Sequence, residues 1–227
     1  GQAGVTVEPF LAWIDEWRLE GPDMNSLSVQ AASPDFAFDM DLLATGPLVF
    51  HGENGFSQKS AEGQASYYYS QPFYKISGTL NLPEGDIPVT GSAWLDREWS
   101  SQPLSDDQKG WDWFSLSFED GEKMMGFQLR QSDGSYYTSA TWISVNGETQ
   151  SYPDGAFMAE PLEETRVAGR DIPIRWRVRL SDRDLDAEVL ALMPKAWMDV
   201  SIPYWEGPVG ISGSHSGRGY LEMTGYQ

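Results

Sequence analysis

Asp96 stands out in this sequence because indole rings flank it on both sides. In the segment GSAWLDREWSSQPL (residues 91–104), Trp94 and Trp99 bracket a run of charged residues that includes Asp96 and Glu98. Alternate side chains of an extended strand share a face, so Trp94, Asp96 and Glu98 would point the same way. Either these charges lie on a solvated rim, with Asp96 capping a turn, or one carboxyl group is held in an aromatic pocket.

A second aromatic face is predicted on the strand that precedes this segment. In ASYYYS (residues 65–70), Tyr67 and Tyr69 share one face. If both faces lined the lumen of a β-barrel, phenol and indole rings would surround the Asp96 carboxyl group. Burial disfavours the ionised form of a carboxyl group and raises its pKa, so Asp96 would stay protonated near neutral pH.

Composition excludes several other kinds of chemistry. The chain has 227 residues, no cysteine and only two histidines, His51 and His215, which excludes thiolate metal sites and nearly excludes a histidine-rich zinc site. The sequence contains no phosphate-binding loop, dinucleotide-binding fingerprint, calcium loop or serine hydrolase elbow. A formal net charge of −19 repels phosphate backbones, so nucleic acid is not expected as a partner. We expect no metal and no cofactor.

Alternation of apolar and polar residues predicts an all-β fold. Phe36, Phe38, Met40 and Leu42 alternate with small or acidic residues in DFAFDMDL, the pattern of a half-buried strand. No segment has a convincing long 3.6-residue period. No stretch approaches the roughly 18 apolar residues of a membrane-spanning helix. Many short strands with glycine-containing turns favour antiparallel barrels or sandwiches.

Two hairpins are predicted in the second half of the chain. In WFSLSFEDGEKMMGFQLR, the strand with Phe114, Leu116 and Phe118 turns at Asp120–Gly121 and returns with Met125, Phe127 and Leu129. In IRWRVRLSDRDLDAEVLAL, one apolar face alternates with a charged face on which opposite charges can pair across the strands. The residues of that charged face are Arg175, Arg177 and Arg179 on one strand and Asp184, Asp186 and Glu188 on the other.

The ten Trp, ten Tyr and ten Phe residues allow two interpretations. Aromatic side chains suit strands and fill cores, so they can be packing residues only. Alternatively, they line a cavity for an apolar ligand, whose walls would be formed by Trp94, Trp99, Trp111, Trp113, Tyr67 and Tyr69. For Trp111, Trp113, Tyr204 and Trp205, whose motifs also read as strand starts, the sequence favours packing.

Several long motifs together resemble the CrtC/AttH-like family, which includes hydroxyneurosporene synthases (carotenoid 1,2-hydratases) and proteins described as predicted secreted hydrolases. The motifs occur in order across nearly all of the chain: YYYSQPFYKISGTL, VTGSAWLDREWSS, GWDWFSLSFEDGEKMMGFQLR, YWEGPVGISG and GRGYLEMTGY. The resemblance implies two tandem lipocalin-like (calycin-type) antiparallel β-barrels. We place the C-terminal portion of the first barrel at residues 1–100 and the second barrel at 101–227, with a boundary in the polar segment 100–110. The first barrel is expected to be incomplete at its N-terminus, because no EWWY-type aromatic motif precedes residue 1.

The resemblance also suggests site residues. Asp96 matches the key aspartate of the hydratase branch, and Trp94 stands where that branch has tyrosine. Tyr67 and Tyr69 fall where the branch has histidine and tryptophan. By this resemblance Asp96, Trp94, Tyr67 and Tyr69 would be the catalytic residues. The ligand-binding residues would be Trp99, Glu98, Trp111 and Trp113.

Three functions follow from these observations, in order of preference. The first is binding of a hydrophobic or amphipathic small molecule, such as a lipid, terpenoid or polyene, in an aromatic-lined cavity, as an AttH-type component linked to a transport system. The second is a hydratase-like lyase or isomerase in which Asp96 protonates an alkene and aromatic rings stabilise the cation. The third is a hydrolase of unknown substrate. The resemblance places the protein in the periplasm or outside the cell.

Overall fold

The computed structural model describes residues 1–101, 105 and 107–226, and these are nearly all in β-strands. Nineteen strands are present in this part of the chain: β1 (Ala3–Thr6), β2 (Phe10–Ile14), β3 (Trp17–Asp23), β4 (Ser26–Ala32), β5 (Ala37–Ala44), β6 (Val49–Phe50), β7 (Phe56–Gln58), β8 (Ala65–Leu82), β9 (Gly85–Trp99), β10 (Gln108–Phe118), β11 (Lys123–Gln131), β12 (Tyr136–Ile143), β13 (Thr149–Tyr152), β14 (Phe157–Val167), β15 (Arg170–Leu180), β16 (Leu185–Ala191), β17 (Trp197–Met198), β18 (Tyr204–Gly213) and β19 (Gly217–Thr224). The one helical element among the described residues is a 3-10 turn, Ser181–Arg183. No described helix is long and apolar enough to cross a membrane.

The strands form two antiparallel sheets, which confirms the predicted all-β, lipocalin-like fold class. The first has the order β1-β2-β3-β4-β5-β8-β6, with β7 and β9 also paired to β8. The second has the order β13-β12-β11-β10-β19-β18-β16-β15-β14, with β17 paired to β18. Most neighbours in each sheet are also neighbours in sequence, as expected for strands joined by short turns.

The chain divides into two compact units. Unit 1 comprises residues 1–49 and 69–97, and unit 2 comprises residues 50–68 and 98–227. Residues 50–68 group with unit 2, whereas we placed the boundary in the segment 100–110. Residues 102–104 and 106 of that segment lie outside the described residues. The assignment of lipocalin-like barrels to residues 1–100 and 101–227 stays a prediction.

The core of unit 1 lies on one face of its sheet. Paired residues share a face of a sheet, and the row Val5–Ala12–Leu19–Val29–Met40 crosses five strands in register. The most buried apolar residues of this core are Phe10, Leu27, Met40, Leu42 and Tyr74. The alternation predicted for DFAFDMDL is confirmed in β5, whereas Phe36 precedes the strand and is about half exposed.

The second predicted hairpin of unit 2 is confirmed as β15 and β16. All of its predicted core positions are buried: Ile174, Trp176, Val178, Leu180, Leu185, Ala187, Val189 and Ala191. On the charged face, Arg175 pairs with Glu188 at 2.7 Å and Arg177 pairs with Asp186 at 2.6 Å. Asp184 does not take part, because it lies in the turn at φ 50°, and Arg179 pairs instead with Glu160 on β14.

The first predicted hairpin, β10–β11, forms with an unexpected distribution of faces. Its turn pairs Ser117 with Lys123, so odd-numbered residues of β10 stand opposite odd-numbered residues of β11. The core residues Phe114, Leu116 and Phe118 therefore share their face with Met124, Gly126 and Gln128. The predicted return residues Met125, Phe127 and Leu129 stand opposite Ser115, Trp113 and Trp111 on the other face. They are also buried, so β11 is covered on both sides.

A buried ionic cluster ties the C-terminal segment to β10 and β11. Asp112 is fully buried and accepts hydrogen bonds from Gln128 Nε2 at 2.8 Å and Tyr226 Oη at 2.9 Å. Its carboxylate also pairs with Arg130, which in turn donates to the Thr224 carbonyl. Burial raises the pKa of Asp112, while the nearby Arg130 charge and the hydrogen bonds lower it. The cation and the two neutral donors compensate a charge that would otherwise be costly inside the protein.

We predict that Arg130→Met lowers the free energy of unfolding by about 3–5 kcal/mol, because it leaves the Asp112 carboxylate buried and uncompensated. Urea denaturation followed by tryptophan fluorescence measures the change. The matched control is Arg166→Met, which removes the solvent-exposed pair with Asp171 and should cost less than about 1 kcal/mol. Equal losses in the two variants would contradict the structural role given to the buried cluster.

Candidate functional site

The structure places Asp96 in a small polar contact within unit 1. Asp96 lies on β9 and is half-buried. Its Oδ1 accepts a hydrogen bond from Trp94 Nε1 at 3.0 Å and another from Ser70 Oγ on β8. The predicted association of Trp94 with Asp96 is therefore present, and Ser70 is a partner that the sequence analysis did not identify.

These contacts define which oxygen of Asp96 could carry a proton. An indole N–H only donates, so Oδ1 acts as an acceptor. A proton on this carboxyl group would accordingly sit on Oδ2. The hydrogen bonds from two different strand positions also fix the orientation of the group, as a catalytic or ligand-binding carboxyl requires.

Tyr69 lies on β8 directly before Ser70. Adjacent residues of a strand point to opposite faces, so Tyr69 and Ser70 diverge from each other. Tyr69 is half-buried in unit 1.

Tyr74, on the same strand, donates a hydrogen bond to the Met24 carbonyl at 2.5 Å. Burial raises the pKa of Tyr74 to about 12, with smaller contributions from Tyr69 and Asp23. Tyr74 is thus a neutral hydrogen-bond donor at physiological pH.

Two of the predicted aromatic residues form an exposed stack in unit 2. The rings of Tyr67 and Trp99 are stacked with centroids 5.9 Å apart, and Phe56 meets Tyr67 edge-on at 6.3 Å. All three side chains are about half exposed to solvent. They form an aromatic surface, which differs from the enclosed wall that we expected for Tyr67 and Trp99.

Glu98 is engaged in an ion pair within unit 2. Its carboxylate lies 2.7 Å from Lys59 Nζ and accepts a hydrogen bond from Ser66 Oγ at 2.5 Å. The same ammonium group lies 4.1 Å from the centroid of the Phe127 ring and 5.1 Å from that of Tyr68. A cation over aromatic faces is stabilised electrostatically, so Lys59 is held by both a carboxylate and two rings. Lys59 was not a predicted site residue.

Trp113 and His51 meet the same buried tyrosine. Trp113 Nε1 donates a hydrogen bond to Tyr68 Oη at 2.9 Å. The centroids of the His51 and Tyr68 rings are 4.2 Å apart. His51 is completely buried, and burial, together with the charge of Lys59, lowers its pKa to about 3. The imidazole is therefore neutral at physiological pH. It can act as a hydrogen-bonding group there, and it does not supply a positive charge.

Trp111 belongs to another cluster, on β10, β18 and β19. Its Nε1 donates to Glu222 Oε1 at 2.6 Å, and its ring lies 6.2 Å from that of Tyr204. Glu222 is paired in register with Glu206, whose pKa is raised by burial. The predicted ligand-binding residues thus belong to several clusters: Trp111 contacts Glu222, Trp113 contacts Tyr68, and Trp99 stacks on Tyr67.

A cavity lies in unit 1, and none of the eight predicted site residues lines it. It has a volume of about 660 Å³. The row Val5–Ala12–Leu19–Val29 and the paired residues Ile14 and Trp17 face it from the core side of the sheet. The lining residues are Ala3, Gly4, Val5, Ala12, Trp13, Ile14, Trp17, Arg18, Leu19, Val29, Gln30, Ala31, Phe36 and Phe38. The only sequence signal for this cavity was the alternation of apolar residues in the first 40 residues. The same alternation is expected for strands whose apolar side chains simply form a hydrophobic core.

Metal binding finds no support in the described part of the chain. Within residues 1–101, 105 and 107–226, no three His, Asp or Glu side chains are grouped so that they could hold a metal ion. The assignments of catalytic and ligand-binding roles to the eight predicted residues stay predictions.

We predict that His51 stays neutral throughout the pH range in which the protein is folded. Its imidazole proton resonances should keep their neutral-form positions from pH 8 to pH 5, where an ordinary histidine with a pKa of about 6.5 would titrate. The chain has two histidines, so the spectrum of His51→Asn assigns the two sets of signals. A His51 signal that titrates near pH 6.5 would contradict the buried, uncharged environment described here.

Comparison with known proteins supports the assignment from motifs. The AttH-like family model matches residues 1–226. The crystal structure of an AttH protein (NE1406) from Nitrosomonas europaea is 35% identical, with a TM-score of 0.89, and the match covers 96% of this chain and 70% of that one. Kievitone hydratase from Nectria haematococca has a TM-score of 0.79 at 19% identity, over 94% of this chain and 69% of that one, a level of identity that shows the fold alone. No curated protein matches this chain. A family model that spans the chain, and a relative with more than a third of its residues identical, establish that this protein belongs to the AttH-like family.

Proposed function

We propose that this protein binds a hydrophobic or amphipathic small molecule in the cavity of unit 1. The observation that carries the proposal is the apolar cavity of about 660 Å³, whose volume falls within the range of small-molecule sites. Its walls include the aromatic rings of Trp17, Phe36 and Phe38. A lipid, terpenoid or polyene fits such a lining, because its apolar surface would be removed from water without leaving polar groups unpaired.

The exposure of the lining residues favours a ligand at this place. Val5, Ile14, Trp17 and Phe36 are large apolar side chains, and each is about half exposed or more. Contiguous exposed apolar surfaces of this kind mark binding sites in soluble domains. Covering them stabilises a complex by about 25 cal/mol for each Å² of apolar surface removed from water. Membership of the AttH-like family agrees with a binding component linked to transport, and we propose a periplasmic or secreted location on the same basis.

We predict that Phe36→Ala weakens the binding of a neutral apolar probe, N-phenyl-1-naphthylamine, about five- to tenfold. The reason is the loss of apolar contact area from the wall of the cavity. The matched control is Phe56→Ala, because Phe36 and Phe56 are 48% and 47% exposed. Titration of probe fluorescence measures both affinities.

The same pair of variants tests the alternative location of the ligand. Phe56 contacts the Tyr67–Trp99 stack, which contains two residues with predicted site roles. If Phe56→Ala weakens binding and Phe36→Ala does not, the ligand binds at that aromatic surface and the cavity of unit 1 is not the site. Absence of probe binding to the wild-type protein would count against the binding function itself.

A hydratase-type reaction is the second candidate, and the Asp96 contact favours it. Trp94 and Ser70 both donate hydrogen bonds to Oδ1 of Asp96, so in this reaction we assign the transferable proton to Oδ2. In this reaction the carboxylic acid gives its proton to one alkene carbon, and water adds to the other. The added water then returns a proton to the carboxylate, so that an alkene and water give an alcohol and the acid is regenerated.

We predict that, if this reaction occurs, Asp96→Asn abolishes it and leaves ligand affinity unchanged, because the amide preserves shape but has no acidic proton. Acyclic polyenes and isoprenoid alkenes are incubated with the protein in ¹⁸O-labelled water, and alcohol products are detected by mass spectrometry. Asp86→Asn, at an exposed position of the same strand, is the control and should keep full turnover. Full activity in Asp96→Asn would exclude the acid role of Asp96.

A further inference from the structure

We infer that the cavity of unit 1 selects an amphiphile whose apolar body carries a positively charged end group, such as an amine or a quaternary ammonium. This inference rests on the proposed binding function and adds the chemical class of the ligand. The supporting observation is the charge at one end of the unit 1 sheet, where the loops beside the cavity are acidic and nearly devoid of basic residues.

The topology gathers three turns at this end of the sheet. Ile14 pairs with Trp17 across the β2–β3 turn, and Ala32 pairs with Ala37 across the β4–β5 turn. Because Ala37 also pairs with Asn81, the β8–β9 turn lies at the same end. The acidic residues in or beside these three turns are Asp15, Glu16, Asp35, Glu84 and Asp86.

Two of these acidic residues directly adjoin the lining of the cavity. Glu16 precedes Trp17 and Asp35 precedes Phe36, and both aromatic residues line the cavity. Both carboxylate side chains are exposed, and neither forms an ion pair with any described residue. Asp15 accepts a hydrogen bond from the backbone N–H of Gln2, and Asp86 accepts one from Asn81 Nδ2. Among the carboxylates that directly adjoin the lining, Glu16 and Asp35 are therefore the ones available to a bound cation.

Basic residues do not neutralise this acidic end. The segments that form unit 1 contain eleven acidic and three basic residues. Of the three, Lys75 pairs in register with Leu43, close to the opposite end of β5, and Arg97 lies near the far end of β9. Arg18 is closer, and it is one of the residues that line the cavity. It belongs to the paired row Gly4–Trp13–Arg18–Gln30, which alternates with the row Val5–Ala12–Leu19–Val29, so its side chain leaves the sheet on the face opposite to Trp17 and Leu19.

Charge complementarity therefore favours a cationic ligand over the alternatives. An anionic amphiphile would place its head group beside Glu16 and Asp35 with no opposing cation on that face, and like charges repel. A second copy of the chain, seated on the same cavity, would bring two acidic ends towards each other. A cationic end group would instead lie among carboxylates while its apolar part contacts Trp17 and Phe36.

The test compares three ligands with the same dodecyl chain and different head groups. Dodecyltrimethylammonium, dodecyl sulfate and dodecyl maltoside are titrated by calorimetry below their micelle concentrations. We expect the cation to bind at least tenfold more tightly than the sulfate at low salt. Raising the salt to 0.5 M should reduce this preference at least threefold, because the charges are exposed and therefore screened.

Variants that remove the two carboxylates are tested with the same three ligands. In Glu16→Gln/Asp35→Asn, the preference for the cation should fall at least threefold, while the affinity for the maltoside stays unchanged. The matched control is Glu8→Gln/Asp41→Asn, which removes two exposed charges from unit 1 without changing the β2–β3 or β4–β5 turn. An equal effect of both double variants would overturn the local role of Glu16 and Asp35.

The outcomes separate this inference from the proposed function. If the sulfate or the maltoside binds as tightly as the cation at low salt, the inference is wrong and the binding function stands. If none of the three binds, the proposed function fails together with the inference. If sedimentation shows a dimer that Phe36→Ala dissociates, and the dimer excludes all three ligands, the cavity is an interface between copies and both proposals are overturned.

Discussion

Strand register is the constraint on which the rest of this structure depends. Every strand has two faces, and a change of one residue in the pairing exchanges them. In unit 1 the register aligns Val5, Ala12, Leu19 and Val29 on one side, which creates both the core and the apolar wall of the cavity. In unit 2 the register of β10 and β11 sets Trp113 opposite Phe127, on the face away from Phe114. The wall of the cavity and the hydrophobic core are thus both determined by which residues pair across the strands.

Periodicity in the sequence was sufficient to predict an all-β protein and several of its strands, whereas the lipocalin-like fold class was inferred from the family resemblance. Alternation identified the apolar positions of β15 and β16, because each strand has one face in the core and one in solvent. It also predicted a face on which arginines and carboxylates pair across the hairpin, and the structure has two such pairs, Arg175–Glu188 and Arg177–Asp186. These features depend on local sequence only, and a short turn leaves few alternatives for the pairing.

Features that depend on pairing between distant segments could not be read from alternation. Ser70 binds Asp96 from a position 26 residues earlier, and Lys59 meets Glu98 and Phe127 from a segment without any motif. The side of the sheet on which Met125, Phe127 and Leu129 lie depended on the number of residues in the β10–β11 turn. The burial of His51 was also not predicted, because a single histidine between an apolar strand end and a polar loop has no alternation that would assign it to a buried face.

The two candidate functions concern different parts of unit 1, and strand geometry separates them. Asp86 lies at the acidic end beside the cavity, and Asp96 lies ten residues further along the same strand. At about 3.3 Å per residue, this corresponds to roughly 30 Å along β9. A small ligand held with its charged end at Glu16 and Asp35 would not bring that end to the Asp96 carboxyl group. Binding at the acidic end and acid chemistry at Asp96 are therefore physically independent, and the first can be true whether or not the second is.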